Sequence, residues 1–243
     1  MPRRFIDGNQ RIVESKKTVS IRYGWNFIFG DHLYPFTIEL LGTLKETGRK
    51  YLFMTNNSSK SVEDYIKKLA KLGIPSTRDD FITSSQATAY YLKENLPGKK
   101  LYVCGTKSLK KELEMEGFTV TEDVNETEVI VMGFDTELTF QKLHDVSFML
   151  LTRGDLPYIA TNPDYVYPTE FGSVPDCSSV CDMIYNATKK RPVVIGKPSP
   201  LMPILAVGFF QRRIRRGGGS DLHRCEVRHQ CRYHRYFGYE WRN

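Results

Sequence analysis

Two stretches of the sequence place polar, phosphate-compatible groups directly after short apolar runs. The run 51–54 leads into Thr55 and Asn56, and the run 191–196 leads into Lys197. A hydroxyl, an amide and an ammonium can together bind and neutralise a phosphate oxyanion. Because ligands of parallel sheets bind at the carboxyl ends of the strands, these groups fall where an anion would bind. The first amides of the next helix, which is predicted to begin near Val62, would add N–H donors.

Each of these groups also has a purely structural explanation. Ser58 or Ser59 could simply cap the helix that follows, with no role for the loop in binding. Lys197 could be an exposed lysine of a turn, which is the commoner place for this residue type. The two strand ends are more specific as a pair, because they offer complementary groups.

The flanking sequence predicts the elements that would position these groups. Short apolar runs alternate with amphipathic segments, which is typical of an α/β fold with a buried parallel sheet. The predicted helices span 35–50, 62–72, 84–96, 109–116, 140–151, 178–190 and 201–210. The predicted strands span 51–53, 100–104, 128–132, 157–160 and 191–196, and the segment 18–29 is β-prone but irregular.

The charge of the chain is concentrated at one end. The net charge is +7, yet residues 211–243 hold nine Arg, no Lys and only three acidic residues. The preceding part of the chain is therefore almost neutral, and its basic residues are mostly Lys. This contrast indicates that the tail and the rest of the chain do not share one composition.

Cysteine content and hydropathy predict a cytoplasmic protein. The five cysteines are scattered and odd in number, which favours reduced thiols over a disulfide framework. The first residues, Met1 to Arg4, do not lead into the apolar segment of a secretion signal. No apolar run approaches the roughly 20 residues of a membrane span, so we expect no contact with a membrane.

Three segments together resemble the haloacid-dehalogenase-like (HAD) phosphatases, in their NagD-like or nitrophenylphosphatase branch. They are YLFMTNNSSK at 51–60, IATNPD at 159–164 and VVIGKPSP at 193–200, within a similarity that runs from about residue 30 to 207. The resemblance implies an α/β fold in which a Rossmann-like parallel-sheet core carries an inserted α/β cap domain. The implied division is 14–78 and 179–210 for the core and 79–178 for the cap, leaving 211–243 as an aberrant basic tail.

The resemblance also implies an activity and roles for individual residues. Members of the family hydrolyse small phosphate monoesters with Mg2+ and an aspartate nucleophile, and sugar phosphates or nucleotides are the expected substrates. By motif position, Thr55 is the phosphate-binding hydroxyl and Lys197 is the phosphate-anchoring lysine. Asn56 lies beside the phosphate loop, and the cap loop with Asn162 and Asp164 faces the substrate. A small phosphorylated metabolite is therefore the expected partner, rather than a nucleic acid.

The chain departs from the family where the chemistry should begin. The family's first motif is Asp-X-Asp-Gly-Thr, but Arg22 stands at the nucleophile's place and Gly24 at that of the acid/base. The fourth motif, Gly-Asp-X-X-X-Thr-Asp, is also missing from the tail. An arginine can pair with phosphate but cannot attack it, so we predict that the chain as written is inactive. Its sequence offers no in-frame carboxylates of these motifs for Mg2+.

A shift of reading frame explains both departures. Residues 22–26 can be encoded CGA UAU GGA UGG AAC, which reads Asp-Met-Asp-Gly-Thr one nucleotide later if U follows. Residues 218–225 can be encoded GGG GGA UCG GAU CUA CAC CGA UGU, which then reads Gly-Asp-Arg-Ile-Tyr-Thr-Asp. We therefore hypothesise that the sequence carries frameshifts in the first motif and in the C-terminal region.

The tail has a rival interpretation as a zinc or nucleic-acid module. Histidine and cysteine residues cluster there with Arg and Tyr between them, at His223, Cys225, His229, Cys231 and His234. Five residues separate the two cysteines, whereas structural zinc pairs usually have a gap of two to four. A tail without an apolar face to bury is the simpler expectation.

Overall fold

The structure is a computed structural model that describes residues 14–15, 18–22, 28–29 and 32–206. Strands and helices alternate along most of this part of the chain, which confirms the predicted α/β class. The strands are β1 (Glu14–Ser15), β2 (Thr18–Arg22), β3 (Ile28–Phe29), β4 (His32–Leu33), β5 (Lys50–Thr55), β6 (Phe81–Thr83), β7 (Lys100–Cys104), β8 (Thr119–Val120), β9 (Val129–Met132), β10 (Tyr158–Ala160), β11 (Val166–Thr169), β12 (Gly172–Pro175) and β13 (Val193–Val194). The helices are α1 (Phe36–Glu46), α2 (Val62–Lys71), α3 (Ser84–Asn95), α4 (Lys107–Met115), α5 (Phe140–Thr152) and α6 (Cys177–Thr188), with a 3-10 turn at Arg78–Asp80 and a helical segment at 201–206.

The first sheet has the strand order β1-β2-β5-β6. Strands β2, β5 and β6 run parallel, and β1 pairs antiparallel with β2. Leu52 and Phe53 of β5 are each only 1% exposed, as expected for a strand that is covered on both faces. Apolar residues of α1 and α2 pack around Phe53 and Phe81. The end of β5 is therefore held firmly inside the fold.

The second sheet has the order β13-β10-β9-β7-β8, and all of its pairings are parallel. The order reverses between β7 and β9, as in doubly wound sheets that bind ligands at this switch point. Buried residues of α5 and α6 pack on one face of this sheet, against side chains such as Ile130 and Met132. Its strands, too, present their carboxyl ends at one common edge.

Side-chain caps explain where several helices begin. Ser61 accepts a hydrogen bond from the Asp64 N–H and forms a capping box at the start of α2, so neither Ser58 nor Ser59 caps this helix. Thr83 caps α3 in the same way. Asp176 caps α6, which begins one residue before the predicted start of this helix. Sequence patterns missed the short strands β6 and β8 and the hairpin β11–β12.

The two sheets do not follow the predicted division into core and cap residue by residue. Strand β6 belongs to the first sheet, although residues 79–178 were assigned to the cap. Strand β13 pairs with β10 in the second sheet, although residues from 179 were assigned to the core. The domain boundaries remain a prediction.

The end of the chain lies outside the described residues. This part comprises residues 207–243, with the end of the helix predicted at 201–210, the basic tail and the candidate zinc ligands. Within the part of the chain that the structure describes, no helix has both the length and the apolar character needed to cross a membrane.

A buried ion pair joins the 3-10 turn to α4. Arg78 pairs with Glu112, which is fully buried, and with Glu63 and Glu116, which are partly exposed. Glu112 also accepts a hydrogen bond from the Val62 N–H at the start of α2. Burial raises the pKa of Glu112, and the hydrogen bond from Arg78 works in the opposite direction. Arg78 therefore offsets part of the cost of burying this carboxylate.

We expect Arg78→Met to destabilise the fold by about 2–3 kcal/mol, because it leaves the Glu112 carboxylate buried without its cation. This lies at or below the lower end of the roughly 3–5 kcal/mol that is usual for a broken buried pair, since Arg78 is itself partly solvated. Urea unfolding measures the loss. Lys99→Met removes a cation from the exposed pair with Glu128 and should leave the unfolding free energy unchanged within error. Equal losses in both variants would contradict the special role of Arg78.

Candidate functional site

The site lies where the carboxyl ends of strands from both sheets meet. Thr55 ends β5, and Asn56 follows it in the first sheet's connecting loop. In the second sheet, Asn162 follows β10 and Lys197 follows β13. Thr55, Asn56 and Asn162 are buried, and Lys197 is half-buried. Residues that are more than a hundred positions apart in the chain thus form one cluster.

The side-chain amide of Asn56 pairs with the peptide of Lys197. Asn56 Oδ1 accepts a hydrogen bond from the Lys197 N–H at 2.9 Å, and Asn56 Nδ2 donates to the Lys197 carbonyl at 3.1 Å. This reciprocal pair fixes which atom of the amide is oxygen and which is nitrogen, because the reverse orientation would oppose like groups. The loop after β5 is thereby joined directly to the chain after β13.

A carboxylate continues this contact into the second sheet. Asp164 Oδ2 accepts from Asn56 Nδ2 at 2.9 Å and from Asn162 Nδ2 at 3.2 Å. Asn162 Nδ2 also donates to Asp176 Oδ1 at 3.1 Å. Of the predicted site residues, the structure brings Asn56, Asn162, Asp164 and Lys197 into one hydrogen-bonded network. Thr55 precedes this network by one residue.

Close backbone approach makes this arrangement possible. A Cβ added at Gly196 would lie 2.7 Å from the Thr161 carbonyl oxygen and 2.9 Å from Asn162 Cα. A side chain at position 196 would therefore push apart the two strand ends that carry Asn162 and Lys197. Glycine is needed here for space.

Ser58 and Thr161 form a second contact between the sheets, which sequence reasoning missed. Ser58 Oγ accepts from the Phe134 N–H at 2.9 Å and lies 2.8 Å from Thr161 Oγ1. Thr161 donates its proton to Asn162 Oδ1 at 2.9 Å, so Ser58 must be the donor to Thr161. The only sequence signal was the run of small hydroxyl residues beside the two predicted motifs.

Thr55 and Lys197 are the groups predicted to bind an anion, and each contacts the backbone near the end of β5. Thr55 Oγ1 accepts from the Asn57 N–H at 3.1 Å, which leaves its own O–H as a donor. Lys197 Nζ lies 3.4 Å from the Met54 carbonyl oxygen, so the ammonium points back towards the end of β5. The hydroxyl and the ammonium thus come from strands of two different sheets, whose ends are joined by the pairing of Asn56 with Lys197. Their binding role itself remains a prediction.

The prediction that the first N–H groups of α2 would bind an anion is wrong. The N–H groups of Ser61, Val62 and Asp64 donate to side chains of Asp64, Glu112 and Ser61, respectively. The capping box and the buried Glu112 thus occupy these amides, and they do not converge on an anion at the end of β5.

Comparisons with known proteins identify the fold. A family model described as haloacid dehalogenase-like hydrolase matches residues 25–119. The crystal structure of a 4-nitrophenylphosphatase from Thermotoga maritima is 33% identical with a TM-score of 0.74, over 80% of this chain and 74% of that one. The chain belongs to the haloacid-dehalogenase-like hydrolases. Within them it falls in the NagD/p-nitrophenylphosphatase subfamily IIA.

Two further relatives show the range of the family. The 5'-nucleotidase YutF of Bacillus subtilis is 32% identical over 164 residues, which are 68% of this chain and 62% of YutF. A glycerol phosphate phosphatase from Mycobacterium tuberculosis, solved in complex with magnesium, is 26% identical with a TM-score of 0.72, over 79% of this chain and 58% of that one. The chain thus spans less than two thirds of the length of YutF.

The backbone register locates Arg22, the residue at which the sequence predicts the family's nucleophile. Arg22 is the last residue of β2 and lies opposite Met54 of β5, one residue before Thr55. The backbone of Arg22 therefore reaches the same sheet edge as the candidate phosphate site. Gly24, predicted at the position of the acid/base, lies outside the described residues.

The described residues do not fit the magnesium ion that HAD phosphatases use. Among residues 32–206, no group of three or more His, Cys, Asp and Glu side chains could hold a metal ion. Asp164 and Asp176 are both near the site, but the amide of Asn162 lies between them and donates to each. Mg2+ needs oxygen ligands in near-octahedral geometry, and these two carboxylates already serve as hydrogen-bond acceptors.

Asp176 is the site's most perturbed carboxyl. Burial raises the pKa of Asp176 from its ordinary 3.8 to about 6, and the nearby charge of Asp164 acts in the same direction. Hydrogen bonds from the Cys177 N–H and from Asn162 partly offset these effects. Both donors bond to Oδ1, which an asparagine side chain would also provide.

We expect Asp176→Asn to stabilise the protein above pH 6 by about 3 kcal/mol and to have no effect on stability below pH 4. The unfolded carboxyl loses its proton near 3.8 and the folded one near 6. The wild-type protein therefore loses stability as the pH rises from about 3.8 to about 6. The variant has no carboxyl at position 176, so its stability does not fall for this reason.

Urea unfolding at several pH values from about 3.5 to about 8 measures this difference. This range begins below the pKa of the unfolded carboxyl and ends above the pKa of the folded one. The exposed Asp155 supplies the control variant Asp155→Asn, whose stability difference from wild type should not change with pH. A pH-independent difference for Asp176→Asn would contradict the perturbed titration.

Proposed function

We propose that the chain derives from a phosphatase of small phosphate monoesters and that, as written, it can bind phosphate but not hydrolyse it. The observation that carries the proposal is the direct pairing of Asn56 with the Lys197 peptide. It brings an ammonium to the strand end that carries the Thr55 hydroxyl. These two groups can donate hydrogen bonds to a phosphoryl oxygen, and the ammonium can balance part of its charge.

The proposed loss of hydrolysis follows from the residue at the nucleophile's place. Attack on phosphorus needs a nucleophile with an available lone pair, and the guanidinium of arginine has only N–H donors. With Arg22 at the end of β2 and no fitting carboxylates for Mg2+ among the described residues, no step of the family's reaction can be assigned to them. An arginine here would add positive charge for binding.

The substrate class rests on relatives and on the proposed cap. The relatives include a 5'-nucleotidase and a glycerol phosphate phosphatase, which supports a small phosphorylated metabolite as the ligand. A nucleotide or a sugar phosphate fits this class. We place the protein in the cytoplasm, since the cysteines of the described part, Cys104, Cys177 and Cys181, are free thiols.

A second candidate function is a non-catalytic interaction protein. The Arg-rich composition of residues 211–243 favours it, because clustered arginines suit an acidic partner. In this case the phosphate site would be a remnant. Binding of an acidic ligand by the full chain that is lost on removal of residues 211–243, but kept in Lys197→Met, would favour this candidate.

We expect the chain as written to hydrolyse p-nitrophenyl phosphate with Mg2+ no faster than a blank. A chain translated from the restored frames, with Asp-Met-Asp-Gly-Thr at 22–26 and Gly-Asp-Arg-Ile-Tyr-Thr-Asp in the tail, should show turnover. The release of p-nitrophenol measures both. Turnover by the chain as written would refute the predicted inactivity, and resequencing the gene across both regions would show which frame it contains.

We expect Lys197→Met to weaken the binding of inorganic phosphate to the chain as written by about tenfold or more, since a charge-assisted hydrogen bond is lost. Isothermal titration calorimetry measures the affinity. Lys111→Met removes an exposed lysine of α4 and serves as the control for net charge. Similar weakening in both variants would show that phosphate binds non-specifically.

A further inference from the structure

Both N–H donors of the Asn56 side chain are already used inside the protein. Nδ2 carries two hydrogens, and these reach the Lys197 carbonyl at 3.1 Å and Asp164 Oδ2 at 2.9 Å. Oδ1 accepts from the Lys197 N–H. A phosphate oxygen needs a donor, and the Asn56 side chain has none left to offer. Asn56 was expected to contact phosphate, but its contacts suit another task.

Asn162 is in the same situation. Its Nδ2 hydrogens go to Asp164 and Asp176, and its Oδ1 accepts from Thr161. Asp164 is an acceptor that would repel an anion. Of the five residues predicted for the site, the ones that we propose donate to phosphate are therefore Thr55, through its hydroxyl, and Lys197, through its ammonium. The other three, Asn56, Asn162 and Asp164, form a hydrogen-bonded network beside them.

We propose that the side chain of Asn56 positions Lys197 and does not itself bind phosphate. The proposal deepens the proposed function and rests on it, because it assigns how the phosphate site is assembled. The Asn56 amide grips both the N–H and the carbonyl of Lys197, so it fixes the peptide from which the lysine side chain extends. Asp164 fixes the amide in turn through Nδ2.

Asn56 itself is well anchored for this task. It is 7% exposed, and its carbonyl oxygen accepts a hydrogen bond from the Ser84 hydroxyl at 2.6 Å. It directly follows β5, which lies between β2 and β6 in the first sheet. On the other side, Gly196 brings the chain within contact of Thr161 and Asn162. Lys197 is thus located by a rigid strand end on each side.

The experiment is a double-mutant cycle on the full chain, read out as phosphate affinity by calorimetry. Asn56→Ala and Lys197→Met are measured singly and together. If Asn56 acts through Lys197, Asn56→Ala weakens binding about tenfold alone and adds nothing when Lys197 is already Met. If Asn56 binds phosphate itself, the two losses multiply in the double variant, and the proposal is overturned. Wild-type affinity in Asn56→Ala would overturn it as well.

Two further variants keep the cycle interpretable. Asn56→Leu has nearly the same shape but can neither accept from the Lys197 N–H nor donate to its carbonyl, and it adds no charge that would itself repel phosphate. It replaces Asn56→Ala if that variant does not fold. It should likewise add nothing to Lys197→Met. Asn95→Ala, at an exposed site on α3, should leave phosphate affinity unchanged.

Hydrogen exchange separates this proposal from the proposed function. If the wild-type chain binds no phosphate, the proposed function fails, and exchange of the Lys197 backbone N–H still tests the positioning. This N–H donates to Asn56 Oδ1, so Asn56→Ala should speed its exchange by about tenfold or more. Unchanged exchange would overturn the proposal, whereas faster exchange confined to the neighbourhood of residue 197 would support it.

Discussion

A single carboxylate oxygen, Asp164 Oδ2, determines the orientation of two amide side chains at the centre of the site. It accepts from Asn56 on one side and from Asn162 on the other, so both amides must turn their nitrogen towards it. Once Asn56 is oriented, its oxygen is aligned with the Lys197 N–H. Once Asn162 is oriented, its oxygen receives the Thr161 proton. Each buried donor thus has one acceptor, and the network has one consistent arrangement of protons.

The same network connects the two sheets at the carboxyl ends of their strands. The second sheet reverses its strand order between β7 and β9, where such sheets commonly bind ligands. In this chain the loop after β5 lies at that point of the second sheet. The Thr106 hydroxyl, after β7, donates to the Ser59 carbonyl, and the Phe134 N–H, after β9, donates to the Ser58 hydroxyl. A Cβ at Gly133 would lie 3.1 Å from Ser58 Oγ, so a larger residue there would disturb the loop.

In the proposed function, phosphate binding and nucleophilic attack belong to different strand ends. The groups proposed to bind phosphate follow β5 and β13, which are intact, whereas the family's nucleophile would follow β2. A change confined to the end of β2 would therefore remove the nucleophile but leave the hydrogen bonds among Asn56, Asp164 and Lys197 in place. This follows because electrostatic positioning and nucleophilic attack are distinct contributions to phosphoryl transfer.

The sequence by itself determined the α/β class, the helices α1 to α6 of the described residues and the buried strand β5, because each depends on local periodicity. It also determined that Thr55, Asn56, Asn162, Asp164 and Lys197 could share a site, since they match three separate motifs. Only the tertiary structure decided which of them still have donors to offer. It also decided that β6 and β8 pair with β5 and β7 and that Ser58 joins the sheets, because these contacts depend on partners distant in sequence. The Ser61 cap of α2 and the hairpin β11–β12 are local features that the sequence patterns missed. Hydrogen-bond capacity, in contrast, is used up by contacts that only the folded chain creates.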